Sequence, residues 1–310
     1  MAIIHELGLE VSVLVDGAEA TEYTPDEEAE VDDDFGPSTE RHHCYVESID
    51  DAHFAVRARV TSENKIGKKW IEKSPQHAFL VDLVFDGKHS GGSIKLDKRR
   101  NPHFQDGAVD CTTKTKRKYR FASVSTVDDA NKQRIAKDLK AAKNLGLIQA
   151  VVYRIIVTGR KAKTRTSYAP KIAEGGISLA EKALKGKAIS HGTTFSDPIK
   201  YDASPVDVTF VDSLGSPLAV FYFKYRSKES LQQELIIPRP RSLSIEPDVD
   251  NLSPEELRRL ASERLLQMRG KNKRAASIKD EDDRPSGSGR AYKFVKIEGG
   301  KKAIDLTEDD

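Results

Sequence analysis

Apolar residues at every second position constrain this chain more than any other feature. Leu9, Val11, Val13 and Val15 alternate with Glu10 and Ser12, and Asp16-Gly17 follows as a turn pair. Phe54, Val56, Ala58 and Val60 alternate with His53, Arg57 and Arg59, and the pattern returns in Phe79, Val81, Leu83 and Phe85 before Asp86-Gly87. A period of two puts successive side chains on opposite faces of a strand, so each stretch predicts a half-buried strand. Asp-Gly is also the dipeptide that two-residue hairpins favour, and Asp86-Gly87 predicts a hairpin into a strand through Ile94 and Leu96. Gly91-Gly92 inside that second arm predicts a bulge or a close backbone approach.

Further strands are expected at Cys44–Ile49, Tyr119–Val127, Val206–Val211 and Leu218–Arg226. Leu147–Val157 is apolar at both parities, which predicts a central strand buried on both faces. Helices are fewer. Asp128 or Asp129 can cap one that runs to Leu145, with Ile135, Leu139 and Ala142 as its stripe and Gly146 as its stop. Ser178 and Glu181 fit a capping box for a second, and Leu231 and Leu235 sit on a brief third closed by Pro238. Strands and helices do not alternate regularly, which argues against a doubly wound sheet. The expected fold is mainly β, an antiparallel β-sandwich of jelly-roll type with two or three short helices over residues 1–239.

Charge divides the remainder. The net charge is only +2, although 32% of residues are charged. Residues 18–40 are acidic and polar and read as a loop. Residues 95–120 and 160–165 are basic and read as loops too. Among them Lys114, Lys116, Arg117, Lys118 and Arg120 surround Tyr119, a mixture that can hold phosphates and stack a base. Two cysteines make no disulfide framework, and the longest apolar run is too short and too interrupted to span a membrane. The chain start lacks a secretory pattern. The expectation is a soluble protein of a reducing compartment, with no membrane partner.

Signals for chemistry are sparse. His42-His43-Cys44 has no second ligand pair at metal spacing, and its two histidines alternate faces on a strand. Ser190 and His191 are neighbours on an extended chain and point apart, which leaves His191 as a hydrogen-bonded residue at a turn on Gly192. Lys185-Gly186-Lys187 lacks phosphate-loop spacing. No cofactor, metal or catalytic residue is expected. An enzyme in the β domain is kept as the weakest of three readings.

Four stretches resemble a family of fungal proteins catalogued only as a domain of unknown function, number seventy-nine eighteen. They are Val11–Gly17 with Glu22-Tyr23; Asp86-Gly87 with Gly91-Gly92; Leu184–Phe195; and Phe221–Ser227 with Ile236–Arg239. The resemblance covers roughly Leu9 to Arg239. It implies a domain boundary near residue 239 and carries no activity, cofactor or site residue.

Beyond that boundary lie a linker over 240–252, an amphipathic helix over 253–269 and a tail over 270–310 expected to be disordered. Ser253, Pro254 and Glu256 begin the helix with a capping box, and Leu257, Leu260, Ala261, Leu265 and Met268 give it an apolar stripe. Arg258 and Arg259, then Lys271, Lys273 and Arg274, have the layout of a bipartite nuclear import signal. Ile278-Lys279-Asp280-Glu281 and Val295-Lys296-Ile297-Glu298 each fit apolar-Lys-any-acidic, the acceptor pattern for the small ubiquitin-like modifier. Lys279 and Lys296 are the acceptor amines. At the end, Ile304 and Leu306 share one face of an extended strand, and Glu308 and Asp309 supply acid. That arrangement suits docking at the edge of the modifier's sheet. The expected function is a non-enzymatic nuclear interaction protein, with the modifier, its conjugating machinery and an import carrier as partners. The alternative is nucleic-acid binding by the basic loops.

Overall fold

The period-two stretches pair into two sheets that share one apolar core in the computed structural model of the protein. The structure describes residues 2–25, 35–128, 131–160, 177–185, 188–202, 206–239, 253–255, 258–259, 262, 294–297 and 301–304. The chain forms two units, Met1–Pro240 and Arg241–Asp310.

The first unit begins with β1 (Ala2–Ile4), β2 (Leu9–Val15), β3 (Ala18–Glu19), β4 (Glu22–Tyr23), β5 (Glu40–Glu47) and β6 (His53–Val60). Helix α1 (Ile66–Lys73) leads to β7 (His77–Phe85), β8 (Lys88–Leu96), β9 (His103–Gln105), β10 (Gly107–Asp110) and β11 (Thr115–Val127). Next come α2 (Lys132–Asn144), β12 (Leu147–Arg160), β13 (Ile177–Ala180), α3 (Glu181–Leu184), β14 (His191–Phe195) and β15 (Ile199–Lys200). The unit closes with β16 (Val206–Phe210), β17 (Ala219–Arg226) and α4 (Lys228–Gln233). One sheet runs β1-β2-β6-β11-β10, with β3, β9, β13, β14 and β15 paired to its members. The other runs β4-β5-β17-β12-β7-β8, with β16 on β12. Pairing is antiparallel except for β5 with β17 and β11 with β13.

Alternation explains the core. Leu9, Val11 and Val13 of β2, Phe54 and Val56 of β6, and Tyr119 and Phe121 of β11 face the second sheet. They meet Phe79, Val81 and Leu83 of β7, Ile148, Ala150 and Val152 of β12, and Phe221 and Phe223 of β17. Phe54 stacks on Phe121 with ring centroids 4.3 Å apart and meets Phe85 edge-on at 5.3 Å. Fully burying one such ring contributes about 1.5–3 kcal/mol. The other parity of β12 (Leu147, Val151, Tyr153, Ile155) forms a second cluster with Val220 and Tyr222, so the central strand is buried on both faces as its sequence predicts.

Both Asp-Gly pairs turn as expected. Asp16 and Gly17 have φ of 47° and 84°, Asp86 and Gly87 of 52° and 71°, and they close the β2–β3 and β7–β8 hairpins. The register of β7 and β8 shifts between Asp82 and Val84, which realises the bulge expected near Gly91-Gly92. A Cβ on Gly92 would lie 2.2 Å from the Tyr119 hydroxyl, so only glycine allows this approach.

Several expectations are corrected. Residues 18–40 contain β3 and β4 where a loop was expected, because Glu22 and Tyr23 pair with Val46 and Tyr45. The basic stretch 95–120 contains β9, β10 and the start of β11. Helix α1 had no cap to announce it, and its Lys65 N-cap makes no side-chain bond. Tertiary contacts hold it instead: Trp70 Nε1 donates to the Ala78 carbonyl at 2.9 Å and the indole stacks on His77. Helix α2 is capped by Asn131, which accepts from the amides of Gln133 and Arg134. Of its expected stripe, Ala142 is buried but Leu139 is 47% exposed. Asp138 takes the inner position because its carboxylate accepts the Ala180 amide at 2.9 Å. That bond also displaces the expected capping box: Ser178 lies in β13, and Ala180 caps α3 without a side-chain bond.

In the second unit, residues 254–255, 258–259 and 262 are helical, as the capping box at Ser253 predicts. The linker 240–252 and the apolar stripe from Leu257 to Met268 lie outside the described residues. Within 270–310, β18 (Phe294–Ile297) and β19 (Lys301–Ile304) pair antiparallel, with Phe294 opposite Ile304 and Lys296 opposite Lys302.

Candidate functional site

Asp86 anchors a buried polar cluster at the end of the β7–β8 hairpin. Its Oδ1 accepts from the Tyr225 hydroxyl at 2.6 Å and from the amides of Gly146 and Leu147 at 2.8 and 3.4 Å. Its Oδ2 accepts from the Thr193 amide at 2.7 Å. One carboxylate thus ties the turn to the start of β12, the middle of β14 and the end of β17. Desolvation pushes the Asp86 carboxyl above the usual carboxylate range, against the four hydrogen bonds that favour its charge. The Tyr225 phenol is raised by the same burial and by the Asp86 charge. Gly146 is required here: its φ is 76°, and a Cβ would lie 2.3 Å from an Arg226 nitrogen.

His191 stands beside this cluster. Its Nδ1 lies 2.9 Å from Ser190 Oγ and 3.1 Å from Ser48 Oγ, and its Nε2 is 3.8 Å from Asp50 Oδ1. Ser190 therefore meets its neighbour instead of pointing away, because it precedes β14 and its hydroxyl turns back to accept the Ser227 amide at 2.8 Å. Gly192 lies within β14, so the expected turn there is absent. Both serines sit on the same imidazole nitrogen, and Ser190 already serves a backbone donor. A nucleophile–base relay places the serine and the carboxylate on opposite nitrogens, both within hydrogen-bond reach; Asp50 is on the opposite nitrogen but, at 3.8 Å, beyond that reach. Burial holds His191 below its usual range, with Asp50 and Glu229 opposing. The cluster does structural work: it satisfies backbone groups where three strands meet. Three of the stretches that carried the family resemblance meet here, those around Asp86, Ser190–Thr193 and Tyr225–Ser227.

The histidine pair at the start of β5 splits as alternation requires. His42 stacks toward Phe221 and His43 stacks on Tyr222 at 4.6 Å, on opposite faces. Cys44 is buried, and its thiol is raised first by desolvation. Among the described residues no three metal-ligating side chains gather.

The basic residues are partly rearranged by β11. Tyr119 is fully buried in the core, where its hydroxyl donates to Ser90, so it cannot stack a base. Strand alternation sends Lys116, Lys118 and Arg120 to the opposite face from Tyr119 and Phe121. Lys116 pairs with Asp106, and Arg120 with Asp51 at 2.8 Å. Arg117 donates to the Ser196 carbonyl and lies over the Phe195 ring. Lys114 and Lys118 are exposed. Sequence reasoning missed two exposed aromatics on this flank, Phe104 and Tyr201. Neither lies in a patterned stretch, so no periodicity could have marked them. Of the second basic stretch, 161–165 lies outside the described residues.

In the second unit, Arg258 and Arg259 are exposed, while Lys271, Lys273 and Arg274 lie outside the described residues. So do Lys279, Leu306, Glu308 and Asp309. Lys296 lies on β18 and Ile304 on β19.

Taken together, these features define a mainly β, two-sheet sandwich domain locked by a buried Asp–Tyr–Thr cluster. The sequence profile of a domain of unknown function, DUF7918, matches residues 8–240, and the chain belongs to that family. No curated protein and no solved structure matches the chain.

Proposed function

We propose that this is a non-enzymatic nuclear interaction protein whose carboxy-terminal stretch is both a target and a weak binder of the small ubiquitin-like modifier. The observation that carries the reading is where the signals fall. Both acceptor tetrapeptides and the acidic docking strand lie beyond residue 240, where the family match and the first unit end. The pairing of β18 and β19 adds support. Ile304, the first docking residue, ends β19; β18 occupies one edge of that strand, and strand addition uses the other. Exposed Arg258 and Arg259, followed by Lys271, Lys273 and Arg274, suit an acidic import carrier. The body is read as non-enzymatic because two of its shifted groups, Asp86 and Tyr225, are bonded to one another, and Asp86 also to the backbone.

Conjugation forms an isopeptide bond between a lysine amine and the modifier's terminal carbonyl. The thioester carbon–sulfur bond breaks, and the conjugating enzyme's cysteine leaves as a thiol with the amine's proton. Reconstituted conjugation of the full chain tests the reading. Lys279→Arg and Lys296→Arg should each remove one product, and the double variant should remove nearly all. No product on the native chain, or undiminished product on the double variant, would overturn it.

A further inference from the structure

The flank formed by β9, β10, the first half of β11 and β15 combines positive charge with exposed rings. Residues 95–120 hold nine Lys or Arg against three Asp, in a chain whose whole net charge is +2. Lys98, Arg99, Arg100, Lys114 and Lys118 are exposed, and no carboxylate pairs with them among the described residues. His103 records the resulting field. After desolvation, the charge of Arg100 lowers its pKa, with Lys95 and Lys116 adding to the effect and Asp97 opposing it.

Two aromatics stand out into this field. Phe104 is 54% exposed and lies in register with Arg57 on the neighbouring strand. Tyr201 is 43% exposed and follows directly on β15, where Ile199 is opposite Lys116. Lys116 Nζ sits 5.1 Å from the centroid of the Tyr201 ring and so helps to fix it. Neither ring belongs to the apolar clusters of the described core. Arg57 and Lys116 beside the rings are ion-paired with Glu10 and Glu19 and with Asp106, while the Tyr201 amide donates to the carbonyl of unpaired Lys114 at 2.9 Å. Exposed rings on a flank that also carries unpaired cations suit a partner with both negative charge and flat apolar faces. Single-stranded nucleic acid has both, because its unstacked bases offer their faces while its phosphates meet lysine and arginine. A duplex keeps its base faces stacked, and an acidic peptide has no rings to place on Phe104 and Tyr201.

We propose that this flank binds single-stranded nucleic acid, with Phe104 and Tyr201 as stacking platforms and Lys114, Lys118 and the exposed Lys200 of β15 among the phosphate contacts. The binding is tolerant of sequence, because stacking and phosphate contacts read no base edge. Asp106 and Asp51 each keep one cation of β11 neutralised, which limits the phosphate contacts to the unpaired groups.

The test is fluorescence anisotropy of a short labelled oligopyrimidine titrated with the full chain at several salt concentrations. Binding should weaken linearly in log–log form as salt rises. A Phe104→Ala/Tyr201→Ala variant should bind about tenfold more weakly, as expected for lost stacking. Lys118→Glu should weaken binding and flatten the salt slope. All three substitutions fall on exposed side chains, so an unchanged melting temperature separates lost binding from lost folding. A matched duplex and polyglutamate should compete poorly. Lys271→Ala/Lys273→Ala/Arg274→Ala, in the other basic stretch, should leave most of the affinity. No binding in dilute salt would overturn the proposal. So would native affinity in the aromatic variant, equal competition by polyglutamate or duplex, or loss of binding confined to the 271–274 variant.

Discussion

Asp86 shows how much one side chain can hold. It sits on a turn and is only partly exposed, and its carboxylate receives four donors from three strands. Replacing it with alanine strands buried donors, each at a cost of about 1–3 kcal/mol when left unsatisfied. Asp86→Ala should therefore lose about 3–5 kcal/mol in urea unfolding. A change below about 0.5 kcal/mol, the scale of an ordinary surface substitution, would refute the role assigned to the cluster. Asp86→Asn should lose less, since it keeps one acceptor oxygen but turns a new donor toward existing ones. Protonation acts on the same cluster in two directions. The Asp86 carboxyl is raised in the fold, so in the acid range the folded state binds its proton first, and this group's contribution to stability rises as pH falls. The imidazole of His191 is lowered, so below about pH 6.5 the unfolded chain takes up a proton that the fold resists. Stability from His191 is complete above that range and is lost as pH falls. His89, raised by its bond to Asp82, opposes this trend. His191→Gln should therefore flatten the decline in urea midpoint between neutral and mildly acid pH. A native-like slope in the variant would count against the burial assigned to this ring.

At the level of elements, two strands matter most. Strand β11 alternates charged and core residues from Lys118 to Phe121, and its basic composition hid its start. Lys116, Arg117 and Lys118 read as loop, yet Gly107, Ala108 and Val109 of β10 pair with them. Composition reports what a segment prefers when solvated, and a partner strand overrides it. The same override moved Asp138 to the buried side of α2, where the Ala180 amide needed an acceptor. Strand β19 has a consequence for modification. On the proposed reading, the register puts Val295, Lys296 and Ile297 of the acceptor tetrapeptide on one arm of a hairpin and Ile304, the first docking residue, at the end of the other. Neighbouring strands lie about 4.8 Å apart, so a modifier docked on β19 is held close to Lys296 at high effective concentration. Lys279 has no such placement in sequence. Peptide mass spectrometry of the conjugated full chain should find Lys296 modified in preference to Lys279. Phe294 belongs to neither motif, so Phe294→Pro should break the arm and lower that preference while both motifs stay intact. Equal modification of the two lysines in the native chain would remove the hairpin's role and leave the wider reading standing. An isolated two-stranded hairpin is marginal in water, which makes a single proline enough to unpair it.

Across the whole molecule, the sequence alone determined the sandwich, the two Asp-Gly hairpins, the doubly buried central strand and the boundary near residue 239. The first three follow from local rules, because alternation fixes which face is buried and φ > 0 turns favour Asp-Gly, and the boundary follows from the resemblance, whose family match ends at residue 240. The short linear patterns beyond the boundary, on which the proposed function rests, can also be read without a fold, because they depend on neighbours in sequence. Tertiary structure decided the rest. It withdrew Tyr119 from the basic flank and put Phe104 and Tyr201 there, since exposure depends on which strands pair. It brought Asp86, Thr193 and Tyr225 together across separations of more than a hundred residues. No local pattern encodes that meeting, because the hydrogen bonds form only once three strands, each chosen for its own apolar face, have closed over one core.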